Sequence, residues 1–376
     1  MIKISSQFDA GRIEIVKAKD PADIQLKIAQ DSHSEFRQWF HFRLQGAQGK
    51  ACKIRLLNAG ESSYPKWEGY HMVASYDRET WFRVPTEFDG KQLIVKHKPD
   101  YNDVYYAYFA PYSFQRHLDL LAFAQQSPVC TVEDLGQTLD GHDFNFLVIG
   151  KPTAKKKKIW IIARQHPGET MAEWFIEGML DRLLDPDDAV AKHLLSKAVF
   201  YVVPNMNIDG SIRGNLRTNA SGANLNREWF KPSMKKSPEV FLVREKMHET
   251  GVDLFLDVHG DEQLPYNFLA GAEGIPSYTK RQEQLSEQFL QAFMRANPDV
   301  QDKYGYGKDR PQEADLSLAT NYVAETFGCG VAYTIEMPFK DNANAPDEIY
   351  GWSPQRCQRL GASVLNPIAE VLPDLK

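Results

Sequence analysis

Three stretches of this sequence end in side chains that could act together. In the first, Ile159-Trp160-Ile161-Ile162-Ala163 leads through Arg164 and Gln165 into His166, a Pro167-Gly168 turn and Glu169. A histidine and a glutamate three apart across a tight turn can face one centre, and zinc accepts imidazole nitrogen and carboxylate oxygen together. In the second, Val252 to Val258 closes on His259 and Gly260; in the third, Val331 to Ile335 closes on Glu336. Singly, each has a bland explanation. A histidine at a strand end is commonly a loop residue, His-Pro-Gly-Glu can be a turn before a capped helix, and a glutamate can be a surface ion-pair partner. Two histidines and two glutamates at neighbouring strand ends instead match a zinc site of two His and one Glu, with one carboxylate left over.

The segment between the first two stretches is long and irregular: Pro204 to Arg217, then Gly222-Ala223-Asn224-Leu225-Asn226-Arg227-Glu228-Trp229. A loop of this length inside a compact domain is usually functional. It is rich in Asn, Gly and Arg. Arginine takes a carboxylate in two parallel hydrogen bonds, and Asn226 beside Arg227 would add an amide donor. Without the zinc pattern, surface solvation would be the default reading of these arginines.

The surrounding elements follow from periodicity. Residues 1–112 carry short alternating runs such as Arg37 to Leu44 and Val104 to Phe109, broken by turn residues, and read as an all-β sandwich-like domain. Its dense aromatics are expected to be core and strand surface rather than a carbohydrate- or peptide-binding face. Residues 113–376 read as an α/β domain. A helix capped by Ser113 is followed by strands at 144–149 and 159–163, a helix over 169–184, a strand at 198–203 and a helix over 238–250. A strand at 253–258 follows, then helices near 277–296 and 316–327, a strand at 331–336 and a last helix over 353–371. Such alternation implies a parallel or mixed central sheet flanked by helices, with ligands at the carboxyl ends of its strands. The lysine run Lys155 to Lys158 is expected to be a solvated hairpin tip joining two strands, not a nucleic-acid or membrane patch.

Composition sets limits. With 376 residues, 44 Lys plus Arg against 50 Asp plus Glu and a net charge of −6, a general nucleic-acid-binding role is disfavoured. The four cysteines, Cys52, Cys130, Cys329 and Cys357, are too few and too scattered for a disulfide framework or a Cys-rich zinc site. The first residues lack an apolar signal-peptide core, and no apolar run is long enough to cross a membrane. A soluble, cytoplasmic protein is expected.

The ordered set of His166/Glu169, the Asn205–Gly210 and Gly214–Arg217 stretches, Asn224–Trp229, Asp257–Gly260 and Glu336 resembles the zinc metallocarboxypeptidases of the carboxypeptidase A superfamily. It is most similar to the cytosolic carboxypeptidases, which also carry an N-terminal β-domain; the Phe40–Leu44 strand, Tyr64-Pro65-Lys66-Trp67 and Tyr108 to Ser113 fit that module. The resemblance implies the carboxypeptidase fold and one zinc per chain, held by His166, Glu169 and His259. It implies Glu336 as general base and acid, Arg217 polarising the scissile carbonyl, and Asn226 with Arg227 holding the terminal carboxylate of a peptide or protein substrate. Two departures stand out. Asn224 occupies a position where better-known relatives have an aspartate behind the first zinc histidine, so it would orient His166 with less charge donation. The family's mobile tyrosine could be Tyr304, Tyr306 or Tyr322. The cytosolic relatives remove glutamates. Ser317 to Asn321, which could line the specificity pocket, hold no cation, but Lys308, Arg310 and Lys340 lie close in sequence, and acidic preference is carried as an expectation. A zinc deacylase or amidase on the same scaffold ranks second, and a non-catalytic binding module third.

Overall fold

The computed structural model describes residues 1–375. Strands β1 (Lys3–Ser5), β2 (Glu14–Lys17), β3 (Ile24–Lys27), β4 (His41–Gln45), β5 (Cys52–Leu56), β6 (Val73–Ser75), β7 (Phe82–Arg83), β8 (Thr86–Phe88), β9 (Leu93–His97) and β10 (Asp103–Ala107) form two five-stranded sheets. Their orders are β1-β4-β10-β6-β7 and β2-β3-β5-β9-β8. Pairing is antiparallel except between β3 and β5. Period-two alternation is clear in β5, where Cys52, Ile54 and Leu56 are buried and Lys53 is exposed. Most aromatics of this all-β domain are core: Phe42 stacks on Tyr106 at 5.3 Å, and Trp39, Trp67 and Tyr108 are buried.

Helix α1 (Phe114–Ala124) begins at Ser113, whose Oγ accepts from the Arg116 amide at 3.1 Å. The strands β11 (Cys130–Gln137), β12 (Asp143–Ile149), β13 (Lys157–Ala163), β14 (Ala198–Val203), β15 (Leu254–Asp261), β16 (Phe268–Ala270) and β17 (Val331–Pro338) make one mixed seven-stranded sheet, ordered β11-β12-β14-β13-β15-β17-β16. Its four inner strands β14, β13, β15 and β17 run parallel. Successive side chains feed opposite faces. Ile159, Ile161, Leu254 and Leu256 join the core beneath α2 (Met171–Leu183), α6 (Lys280–Ala296), α8 (Pro354–Ser363) and α9 (Leu365–Val371). Trp160, Ile162 and Phe255 join the opposite core with α5 (Pro238–Thr250) and α7 (Ala319–Phe327). Helices α2 and α8 approach closely: a Cβ at Gly178 would stand 2.0 Å from Gln358 O, and one at Gly361 1.9 Å from Phe175 O. This contact seats α2, which starts just after Glu169.

The strands expected at 198–203 and the helix at 238–250 lie where expected. Several expectations need correction. The lysine run is not a hairpin tip, because β14 lies between β12 and β13 in the sheet; Lys157 and Lys158 already belong to β13, and Lys156 Nζ donates to Leu195 O at 2.6 Å. Two adjacent apolar runs look alike whether or not they pair. The helix expected over 353–371 is two helices. Pro367 has no N–H to offer the preceding turn, and the break falls at Val364. The irregular stretch contains a short helix, Ile208–Arg213, with Asn207 as its cap. Strands β11 and β16 and the helix Ala189–Lys197 had no clear signal: the strands lie at sheet edges and the helix is nine residues long. β15 and β17 also run past the expected ends, so His259 and Glu336 project from within strands.

Candidate active site

The turn after β13 is fixed from beneath. Arg164 adopts a left-handed backbone (φ 59°), and its buried guanidinium donates to Pro167 O at 2.9 Å, Tyr112 O at 3.0 Å and Glu173 Oε2 at 2.6 Å. That holds the His166–Glu169 turn against the strand end. His259 arrives on the neighbouring strand. His166 Nδ1 stands 2.7 Å from Glu169 Oε1, His259 Nδ1 stands 2.7 Å from Glu169 Oε2, and the two Nδ1 atoms are 3.2 Å apart. All three side chains are buried and offer ligand atoms within 4.8 Å of one another. Two nitrogens bound about 2.0–2.1 Å from a tetrahedral zinc are separated by about 3.3–3.4 Å.

The far nitrogens fix the tautomers. His166 Nε2 is 3.0 Å from Asn224 Oδ1, and His259 Nε2 is 2.9 Å from Asp257 Oδ2. The acceptor behind His166 places its proton on Nε2 and turns Nδ1 into the centre, and the Asp257 charge beside His259 Nε2 favours the same tautomer there. Asp257 is itself held by Gln165 Nε2 at 2.7 Å, and Gln165 Oε1 accepts from Trp229 Nε1 at 2.8 Å. Burial and nearby Arg217 push His166 down to about 4. Burial opposes charge on His259, but Asp257 and Glu169 outweigh it and raise its pKa. Burial likewise opposes charge on Glu169, yet the two imidazoles hold it below the usual carboxylate range. Two imidazoles and an ionised carboxylate converge, and once His259 gives up its extra proton both Nδ1 atoms present lone pairs, which is the donor chemistry zinc takes.

Glu336 is the register partner of His259 across β15 and β17. Its Oε1 lies 3.2 Å from the Tyr306 hydroxyl, and its buried Oε2 has no hydrogen-bond partner among the described residues. Burial first, then Glu169 and the acidic pair Asp261 and Glu262, raise its pKa. Of the three tyrosines, only Tyr306 reaches this carboxylate, and its hydroxyl also donates to Asp261 Oδ2 at 2.7 Å. Tyr304 stacks on Tyr266 at 4.3 Å, and Tyr322 is buried under Arg244.

Arg217 is half-buried and Arg227 exposed; burial and then the Arg217 charge lower the pKa of Arg227. The Arg217 guanidinium faces the rings of Tyr64 and Phe36 at 5.5 and 5.7 Å. Asn226 Oδ1 accepts from the Ala319 amide at 2.8 Å, which leaves its Nδ2 free to donate, and Arg227 Nη1 donates to Asn226 O at 2.6 Å. Beside this pair, the hydroxyls of Thr320 and Thr334 meet at 2.7 Å. Among the three basic candidates, Lys308 pairs with Glu273 at 3.4 Å, Arg310 is exposed, and Lys340 is buried, its pKa lowered by that burial against the pull of Glu68 and Asp261. Sequence reasoning gave no role to Asp257, Gln165, Asp261 or the buried Glu262. Asp257 had a usable signal: two residues before His259, it points to the same face of the strand.

The loop carrying Asn224 to Arg227 rests on a buried carboxyl. Asn219 Nδ2 donates to Glu239 Oε2 at 3.2 Å, while Asn219 Oδ1 accepts from the Ser221 and Ala223 amides, each at 3.0 Å. Burial pushes Glu239 from 4.5 up to about 8, against its backbone and Asn219 hydrogen bonds. A carboxyl raised on folding stabilises most below its unfolded pKa, and that contribution is lost as pH rises through the folded one. Wild-type protein is therefore expected to lose stability relative to Glu239→Gln between pH 4.5 and about 8, with a slope on the order of 1.4 kcal/mol per pH unit. Parallel denaturant curves of the two proteins across that window would refute it.

Residues 117–360 match the family model of the zinc carboxypeptidases, and residues 4–109 match that of the cytosolic carboxypeptidase N-terminal domain. The chain belongs to the zinc carboxypeptidases. By class it is a metallocarboxypeptidase, a hydrolase with the carboxypeptidase fold preceded by an all-β domain. It is similar to a metallo-carboxypeptidase from Burkholderia cenocepacia (49% identity, TM-score 0.97, all of both chains). It is also similar to a metallo-carboxypeptidase from Pseudomonas aeruginosa solved with (2-guanidinoethylmercapto)succinic acid (46%, TM-score 0.96, all of both chains). Mouse cytosolic carboxypeptidase 6 is 28% identical over 293 residues, 70% of this chain and 54% of that protein, so the chain spans about half its length. No helix among the described residues is long and apolar enough to cross a membrane.

Proposed function

We propose that this chain is a zinc-dependent exopeptidase that hydrolyses the last peptide bond of peptides or proteins, acting in the cytoplasm, with residues 1–112 and 113–376 as its two domains. The observation carrying it is the convergence of His166 Nδ1, His259 Nδ1 and Glu169 with the unpartnered Glu336 Oε2 beside them. These three side chains would hold one zinc per chain. Bound there, zinc would act as a Lewis acid and lower the pKa of a water. Glu336 takes the water proton at its carboxylate and returns it to the leaving amine. Arg217 donates to the carbonyl oxygen as it gains charge. Asn226 Nδ2 and Arg227 hold the substrate carboxylate and so set the register at one residue from the end. Tyr306, already at Glu336, is the tyrosine that covers the bound substrate.

The test is a set of peptides that differ only in a free or amidated C-terminus. Release of a single terminal amino acid from the free acids alone is expected; no release would favour the deacylase or amidase reading. Arg227→Ala should lower kcat/KM on free acids about 10- to 100-fold, since a hydrogen bond to a charged group is worth about 1.5–3 kcal/mol. Most of that loss should appear in KM. Undiminished preference for the free acid would remove Arg227 from this role. Acidic side-chain preference is the finer part of the proposal, with Lys340 as the buried basic candidate. Peptides ending in Glu, Leu or Lys decide it, and a clear Leu or Lys preference overturns it.

A further inference from the structure

Arg217 belongs to the catalytic domain, yet what holds it comes from the other domain. The carboxylate of Asp31 is buried and accepts four hydrogen bonds from the segment bearing this arginine. Oδ1 takes the Leu216 amide at 2.7 Å, and Oδ2 takes the Arg217 amide at 2.8 Å, the Thr218 amide at 3.0 Å and the Thr218 hydroxyl at 3.1 Å. The next residue continues the seam: the Ser32 amide donates to Asn215 Oδ1 at 2.9 Å, and Asn215 Nδ2 donates to Thr218 O at 2.9 Å. His33 presses its carbonyl against Gly222, where a Cβ would stand 2.2 Å away. The short loop then closes on itself, Asp31 N donating to Phe36 O at 2.7 Å.

The side chain is held by the same domain. The guanidinium of Arg217 makes no hydrogen bond or ion pair with another side chain among the described residues, and it faces the rings of both Phe36 and Tyr64. Phe36 ends the Asp31 loop. Tyr64 is fixed beside it, its amide donating to Gln38 Oε1 and its carbonyl accepting from Gln38 Nε2, both at 3.1 Å. Aromatic faces attract a guanidinium without occupying its N–H groups. The donors therefore stay free for a substrate oxygen while the group is held in position.

We infer that the N-terminal domain completes the active site: Asp31, Phe36 and Tyr64 are positioning residues that act through Arg217, Asp31 by fixing its backbone and the two rings by seating its guanidinium. This rests on the carboxypeptidase reading. A mere seam between domains would need the Asp31 bonds but not an arginine facing two rings of that domain.

The experiment is a set of double-mutant cycles on peptide hydrolysis. Tyr64→Leu, Phe36→Leu and Asp31→Asn should each lower kcat about 10- to 100-fold, as a misplaced catalytic group does, with KM within about twofold and zinc content unchanged. Combined with Arg217→Ala, none should lower kcat further. Added guanidinium should partly rescue Arg217→Ala, and Tyr64→Leu in that background should abolish the rescue. Multiplicative losses in the double variants, or singles with wild-type kcat, overturn the inference. If Asp31→Asn does not fold, the two ring variants decide it. A wild type silent on peptides would sink the carboxypeptidase reading instead. Amide exchange would then judge the positioning, because Asp31→Asn should deprotect the amides of Leu216 to Thr218 but not those of β13, and unchanged exchange there overturns it.

Discussion

Glu336→Gln is expected to keep the metal and lose turnover on the order of 10²–10⁴-fold, the range of a general base. The amide matches the carboxylate in size and can still accept from the Tyr306 hydroxyl, which lies 3.2 Å from Oε1. It cannot take a proton. The contacts among the three candidate ligand side chains are kept, because His166, Glu169 and His259 make them with one another. The position is also prepared for proton transfer. Burial, reinforced by Glu169, Asp261 and Glu262, makes Glu336 a better proton acceptor than an exposed carboxylate. Steady-state kcat measured beside metal content gives the answer. Turnover at the wild-type rate with full zinc would remove Glu336 from the chemistry, whereas loss of both zinc and turnover would make it a structural support for the metal.

The candidate ligands were legible because each follows an apolar run, and a buried strand ending in a polar group restricts where that group can point. His166 and Glu169 needed only local geometry. The adjacency of His259 and Glu336 is a different kind of fact. It depends on β15 and β17 being neighbours in register, with 69 residues of chain between them unrevealing on that point. The resemblance supplied it; periodicity did not. The same limit explains the lysine run: a hairpin and a pair of strands separated by β14 have identical local patterns. The choice among Tyr304, Tyr306 and Tyr322 also needed three dimensions, since two of them are engaged by Tyr266 and Arg244 far along the chain. Least legible was Asp31. Nothing in a Gln-Asp-Ser stretch of a β-domain signals four hydrogen bonds to a loop 185 to 187 residues away. Asn224 went the other way: as a neutral amide it still contacts His166 Nε2 at 3.0 Å, so the departure from aspartate preserves the tautomer and gives up charge.

Removing the metal is expected to abolish peptide hydrolysis, by on the order of 10³-fold or more, given the several kcal/mol a metal contributes to such a reaction. It should also lower the melting temperature, because a ion that binds the folded chain and not the unfolded one stabilises it in proportion to the logarithm of its concentration over Kd. Zinc should restore both in one titration with an end point of one ion per chain. The site makes a further demand. Without metal, Asp257 and Glu169 favour a proton on His259, and the two Nδ1 atoms stand 3.2 Å apart with one carboxylate between them. Loading must expel that proton, so zinc should bind more weakly as pH falls, by about tenfold per unit where His259 is protonated in the metal-free protein. Calorimetry in two buffers of different ionisation enthalpy measures the release directly. Asp257→Asn, which takes charge from behind His259, should weaken zinc 10- to 100-fold while leaving the fold in place. An end point other than one, or hydrolysis that survives complete chelation, would break the link between this centre and the activity. Affinity that does not change with pH would break the link between the centre and its protonated histidine.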